Sequence, residues 1–181
     1  MKRVMVIGVS AGVGKSTFAR RLGEKLKMEV THLDRLYWQP GWKETPAAEF
    51  SQAQEKMVQA ERWIMEGNYT STFPIREPYA DTVIYLELPL YICLYRVFKR
   101  RIQFHGKTRD DLTEGCPEKI DWHFLHFILT TYSRRKKKMK ERLERYAAGG
   151  KRVYSLHSSK QIERFFEREM QQSKDFQAEH E

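Results

Sequence analysis

Short apolar runs alternate with amphipathic stretches along most of this chain. Residues 3–9 (RVMVIGV) are apolar and rich in β-branched side chains, which predicts a buried strand. Residues 15–26 carry Phe18, Leu22 and Leu26 at four-residue spacing and predict a helix. A second short strand is expected at 30–33, then a loop over 37–45 holding Trp38, Pro40, Gly41 and Trp42. Thr45-Pro46 reads as a helix start, a capping hydroxyl followed by proline at the first helical position. That helix is expected to reach about residue 60, with Phe50, Ala53, Met57 and Ala60 on one face. A third strand at 63–65 ends in Glu66-Gly67-Asn68, and a fourth spans 82–86. A helix follows over 90–104, then a polar stretch without periodicity, 105–118. Residues 120–147 predict a long helix, with Phe124, Phe127, Ile128 and Thr131 on one face and Met139, Leu143 and Tyr146 on another. Gly149-Gly150 stops it. A fifth strand at 152–156 and a helix at 161–170 complete the pattern, and the polar end, 171–181, is expected to fray.

Short buried strands alternating with helices predict an α/β fold: a five-stranded parallel sheet with helices on both faces. The 181 residues suit a single domain. In such sheets ligands sit beyond the carboxyl ends of the strands. Composition narrows the picture further. The chain is 40% hydrophobic and 31% charged, a globular balance, and no apolar run approaches the roughly 18 residues of a membrane span. The basic and then apolar N-terminus is too short for an export signal and runs into a glycine-rich loop, so a cytoplasmic address is expected. Cys93 and Cys116 have neither disulfide-framework nor zinc-motif spacing. The net charge of +9 is concentrated: residues 96–152 hold 17 of the 33 basic residues but only 7 of the 24 acidic ones. That segment should meet phosphates or nucleic acid.

The candidate chemistry follows the strands. After the first comes Gly8-Val9-Ser10-Ala11-Gly12-Val13-Gly14-Lys15-Ser16-Thr17. The amides of Gly12, Val13, Gly14, Lys15, Ser16 and Thr17 would cradle phosphate oxygens, with the positive end of the next helix behind them. Lys15 would reach the β- and γ-phosphates, and the Ser16 hydroxyl would bind Mg²⁺. The usual pattern has glycine five residues before Gly14. Here Val9 stands there and Gly8 one step earlier, so the loop is expected to be one residue longer. Asp34 follows the second strand, where it could accept or orient an acceptor proton; as a plain cap it would do neither. Glu66 follows the third, where a carboxylate serves the Mg²⁺ shell or merely ends a turn. Arg96, Arg100 and Arg101, then Lys107 and Arg109, are either charge clamps on a closing lid or a solvated basic face. The aromatic loop at 37–42 could stack on a ring or pack on itself. The basic run 134–140 is solvated surface, or else a phosphate or nucleic-acid contact.

On these residues the chain resembles the nucleoside-monophosphate-kinase-like P-loop proteins. It is most similar to a bacterial subgroup labelled topology modulation or adenylate-kinase-related proteins. The similar stretches are 6–17, 32–42, 63–69, 85–101 and 106–118, and Glu66-Gly67-Asn68-Tyr69 resembles the Asp-Gly-Phe-Pro-type turn of adenylate kinases. The resemblance implies a three-layer P-loop NTPase fold with strand order 2-3-1-4-5, a lid near 106–118, ATP·Mg²⁺ binding, and adenine near residues 157–160. The arginine that grips the acceptor phosphate in adenylate kinases has no counterpart, since Thr70 and Ser71 stand near its place. The position of Asp34 is similar to that in kinases with hydroxyl acceptors. The expected function is therefore a Mg²⁺-dependent kinase using ATP or GTP on a hydroxyl compound, a nucleoside or a nucleotide. Its catalytic candidates are Lys15, Asp34, Arg96, Arg100, Arg101 and Arg109, and its metal candidates Ser16 and Glu66. A nucleic-acid-associated ATPase and a nucleotide-binding switch remain as alternatives.

Overall fold

Val4, Met5, Val6 and Ile7 are fully buried, so their strand must be covered on both faces. The computed structural model describes residues 1–178, with side chains as far as residue 168. In chain order the elements are β1 (Arg3–Gly8), α1 (Lys15–Leu26), β2 (Val30–His32), α2 (Leu33–Tyr37), β3 (Trp38–Gln39), β4 (Lys43–Glu44) and α3 (Ala47–Met57). Then come β5 (Trp63–Glu66), a 3₁₀ turn at Thr70–Thr72, α4 (Phe73–Arg76), β6 (Thr82–Leu86), α5 (Leu90–Gln103), α6 (Trp122–Ala148), β7 (Arg152–Leu156) and α7 (Ser159–Ala178). The parallel sheet runs β2-β5-β1-β6-β7, which is order 2-3-1-4-5 when its five strands alone are counted. Helices flank it. Phe18 of α1 meets Phe165 and Phe166 of α7 at centroid separations of 5.4 and 4.9 Å. On α6, Met139, Leu143 and Tyr146 are buried as their spacing predicts, and Arg142 lies over the Phe73 ring of α4. No described helix is long and apolar enough to cross a membrane.

Several local expectations change. The second strand stops at His32, and residues 33–37 turn into α2, so Asp34 sits in the first turn of a short helix. The loop at 37–45 is an antiparallel hairpin, Trp38 opposite Glu44 and Gln39 opposite Lys43. Thr45 does not cap α3; its hydroxyl donates to the Leu36 carbonyl at 2.9 Å, tying the hairpin to α2 instead. On the long helix Phe127 is 44% exposed while Ile128 and Thr131 are buried, so the first face is narrower than expected. Asp121 caps that helix by accepting from Phe124 N at 2.8 Å. The expected fraying of 171–181 falls on side chains, and from 179 on a backbone, outside the described residues.

The loop between β1 and α1 is wedged against α5. Gly12 has φ +75°, and a Cβ there would lie 2.2 Å from the Cys93 carbonyl oxygen. Gly12→Ala combines a left-handed backbone with a clash against main chain. It is expected to cost more than about 2 kcal/mol in urea unfolding. An unchanged unfolding midpoint would contradict this packing.

Candidate active site

The loop after β1 begins one residue later than its glycine suggests. Val9 is buried and its N–H donates to Leu86 O at 2.9 Å, so the sheet ladder extends past Gly8. Glycine is needed at 8 for space: a Cβ would come within 2.6 Å of Val13 Cγ1 and 3.0 Å of Lys15 Cγ. Asn68 grips this point from both sides, accepting from Gly8 N at 2.9 Å and donating to Gly8 O at 2.8 Å. No side chain caps α1, so its first-turn N–H groups face the loop as a ready anion site.

Glu66 lies at the centre. It is the last residue of β5, and the register sets it beside Val6 of β1 and His32 of β2. Its carboxylate accepts from Ser16 Oγ at 3.1 Å, sits 2.9 Å from His32 Nδ1 and is 4.0 Å from Lys15 Nζ. His32 escaped the sequence analysis because the histidines show no metal spacing; strand register was the missing signal. Asp34 stands nearby and accepts from the Tyr69 hydroxyl at 2.7 Å. Burial, and then the charge of Glu66, pushes the Asp34 carboxyl above its usual range, with Tyr69, Lys15 and Arg109 opposing. Burial and the Asp34 carboxylate push the Tyr69 phenol upward in turn.

The arginines divide. Arg96 Nη1 donates to Val13 O at 3.0 Å, against the phosphate loop. Arg100 Nε donates to Glu118 Oε1 at 2.8 Å, and Arg109 Nε lies 2.8 Å from the other oxygen of Glu118. Arg109 Nη1 also bonds Asp111 Oδ2 at 3.2 Å. Burial alone would raise the Asp111 carboxyl, but Arg109 and the Ser16 hydroxyl outweigh it and hold it low. Arg101 stands apart from the other three. It bonds His105 Nδ1 at 2.7 Å and does not line the cleft. Arg96 and Arg100, four apart, share a helix face, and one more residue turns Arg101 about 100° away.

Segment 106–118 lies on the hairpin. Gly41 N donates to Gly115 O at 2.9 Å, Trp42 Nε1 to Pro117 O at 3.0 Å and Thr113 Oγ1 to Arg35 O at 2.8 Å. The hairpin aromatics pack on one another, Tyr37 against Trp38 and Tyr69, and Trp38 against Trp42. Arg76, which the sequence analysis passed over, is fully buried. Its guanidinium donates to the carbonyls of Gly67, Asn68 and Tyr69 at 3.2–3.3 Å, and burial pushes its pKa down to about 10. It holds the turn that presents Glu66, Asn68 and Tyr69. In the basic run, Lys136 pairs with Glu87 and Arg135 lies over Phe127.

A cleft of about 1540 Å³ joins these parts, lined among others by Lys15, Ser16, Thr17, Asp34, Glu66 and Arg109. It reaches Ser159 at the start of α7, one of the residues expected near adenine. The oxygen donors of Ser16 and Glu66 suit a hard cation such as Mg²⁺. Among the described residues no group of three or more His, Cys, Asp or Glu is arranged to hold a metal, so water and phosphate oxygens would complete its shell.

Fold and site together define a three-layer P-loop NTPase fold. No protein-family model and no curated protein matches the chain. Among solved structures it is similar to a sugar kinase from Janibacter sp. HTCC2649, at 12% identity over 91% of both chains with a TM-score of 0.49. It is also similar to shikimate kinase from Bacteroides thetaiotaomicron, at 16% identity over 98% of both chains with a TM-score of 0.48. Deoxyadenosine kinase from M. mycoides with bound dATP has a TM-score of 0.44 at 14% identity, over 92% of this chain and 98% of that one.

The Asp34 environment makes a test of charge. A carboxyl raised on folding stabilises while protonated, below its ordinary value near about 4, and that contribution is lost as pH rises through its folded value. At neutral pH an ionised Asp34 therefore strains the fold. Asp34→Asn keeps an acceptor for Tyr69 and is expected to melt above the parent at pH 7, by about 2–4 °C per kcal/mol recovered. The difference should vanish on acidification. A lower melting temperature for the variant at pH 7 would contradict this assignment.

Proposed function

We propose that this chain is an ATP·Mg²⁺-dependent phosphotransferase whose acceptor is a small hydroxyl compound, with segment 106–118 as its lid. Lys15 and the loop amides would hold the donor's phosphates, Ser16 and the Glu66 shell the cation, and Arg96, Arg100 and Arg109 the migrating charge. Bound Mg²⁺ would supply neutralisation of the phosphate oxygens. Asp34, oriented by Tyr69, would take or orient the acceptor's proton. The observation that supports the hydroxyl acceptor is the Asp34 carboxylate on the cleft while Arg76 is turned away from it. A phosphate acceptor is already anionic and needs a cation near it, yet the arginine following the Glu66 turn is buried beneath it and spent on three carbonyls. The acceptor side of the loop offers a carboxylate instead. The subgroup of topology modulation proteins that the sequence resembles stands under the same proposal.

Two substitutions and one screen test this. Lys15→Ala is expected to lower triphosphate turnover at least about 10²-fold, the scale of one lost electrostatic contact to a reacting group. Its melting temperature should stay close to the parent's, because Lys15 edges the cleft outside the core. Parent-like turnover would overturn the phosphate-loop assignment. ADP release measured against nucleosides, nucleotides, sugars and hydroxy acids identifies the acceptor. With that acceptor, Asp34→Asn should lose about 10²–10⁴-fold in turnover with little change in ATP affinity. A nucleoside monophosphate as the best acceptor would return the chain to the nucleotide kinases.

A further inference from the structure

Two guanidiniums at the mouth of a phosphate site repel each other, and something must hold them side by side before the ligand arrives. Here it is a carboxylate. Glu118 is 4% exposed, at the end of segment 106–118. One of its oxygens lies 2.8 Å from Nε of Arg100 on α5, the other 2.8 Å from Nε of Arg109. Its own backbone is pinned, Glu118 N donating to Lys107 O at 3.0 Å and the residue bridging to His105. The grip falls on the inner nitrogens. Both Nη groups of Arg100, and one Nη and the Nε of Arg109, are left without a hydrogen bond among the described residues, and both arginines line the cleft with Lys15 and Ser16.

The alternative arrangements are poorer. A carboxylate forked across the Nη groups of one arginine would consume the edge that suits phosphate, since bidentate guanidinium pairing is that edge's strongest use. Glu118 instead turns one oxygen to each Nε, as a hydrogen bond to Arg100 and as a charge contact outside hydrogen-bond geometry to Arg109. Burial and repulsion from Arg109 both work against the charge of Arg100, and Glu118, then Asp111, oppose them. Asp111 is the other acid facing this pair; it engages Arg109 Nη1 at 3.2 Å.

We propose that Glu118 is a positioning residue. It sets Arg100 and Arg109 as a two-arginine clamp whose outer Nη edges take the terminal phosphate of a bound nucleoside triphosphate. The inference rests on the phosphate-site assignment above and adds what organises the clamp. The donor's last phosphate is what such a clamp recognises, so its action should appear as preference for triphosphate over diphosphate, independent of any acceptor.

The test compares ATP·Mg²⁺ and ADP·Mg²⁺ affinities by titration calorimetry in the parent, Glu118→Gln and Glu118→Asp. Glu118→Gln keeps the side-chain shape but removes the charge. It is expected to reduce the ATP-over-ADP affinity ratio about tenfold, the worth of one charge-assisted contact, with ADP affinity within about twofold. A merely structural role would weaken both ligands alike and leave the ratio at the parent value, which overturns the proposal. If Glu118→Gln does not fold, Glu118→Asp carries the same comparison, with a ratio expected to fall at least about threefold; an unchanged ratio overturns it equally. A parent that binds both nucleotides and discriminates, beside a variant that discriminates as well, sinks only the clamp. A parent that binds no triphosphate sinks the phosphate site and the clamp together.

Discussion

Glu66 is 3% exposed, and a carboxylate that far from water must find partners or give up its charge. Its position is not negotiable, because it is the last residue of a strand locked between two others. The partners come to it: Ser16 from the first turn of α1, His32 from the end of β2, and Lys15 at longer range. Each of these already lies at the carboxyl end of the sheet, beside the loop after β1, so pairing Glu66 also shapes that loop. Its negative charge reaches Asp34 as well and helps to hold that carboxyl toward its protonated form.

The turn after Glu66 is held from below. Arg76 donates to three successive carbonyls, which lets Asn68 reach back to Gly8 and Tyr69 reach across to Asp34. A guanidinium suits this place because its donors fan out in a fixed plane and can serve several carbonyls at once. The cost is a buried cation without a carboxylate hydrogen-bonded to it, visible as the depressed pKa of Arg76. The far side of the cleft is arranged differently. There the cations face carboxylates directly, Arg100 and Arg109 on Glu118, and Arg109 on Asp111. Acid groups thus occupy the positive wall of the cleft.

Much of this was legible in the linear pattern. The run 3–9 is apolar at every position because β1 is covered on both faces, and the spacing of Met139, Leu143 and Tyr146 matched their burial. Gly12, Gly14, Lys15 and Ser16 marked a tight strand-to-helix turn of the kind that suits an anion, because such a turn needs those residue types in that order. The shape of the hairpin was not legible, since two-residue strands carry no periodicity to detect. Nor was the fate of Thr45, whose hydroxyl leaves α3 uncapped and donates to the Leu36 carbonyl, joining the hairpin to α2.

The side chains that meet across long separations needed the fold. Helical spacing placed Arg96, Arg100 and Arg101 near one another, and only the direction of α5 decided that the third turns to His105. Nothing local marks His32, Arg76 or Glu118. Their roles come from strand register, from burial under a turn, and from a segment folding back on a helix 18 residues away. The sequence by itself determined the five sheet strands and the longer helices, because periodicity and turn geometry act over a few residues. Tertiary structure alone decided which charges pair, because a buried carboxylate or guanidinium takes whichever partner the packing brings within hydrogen-bond distance.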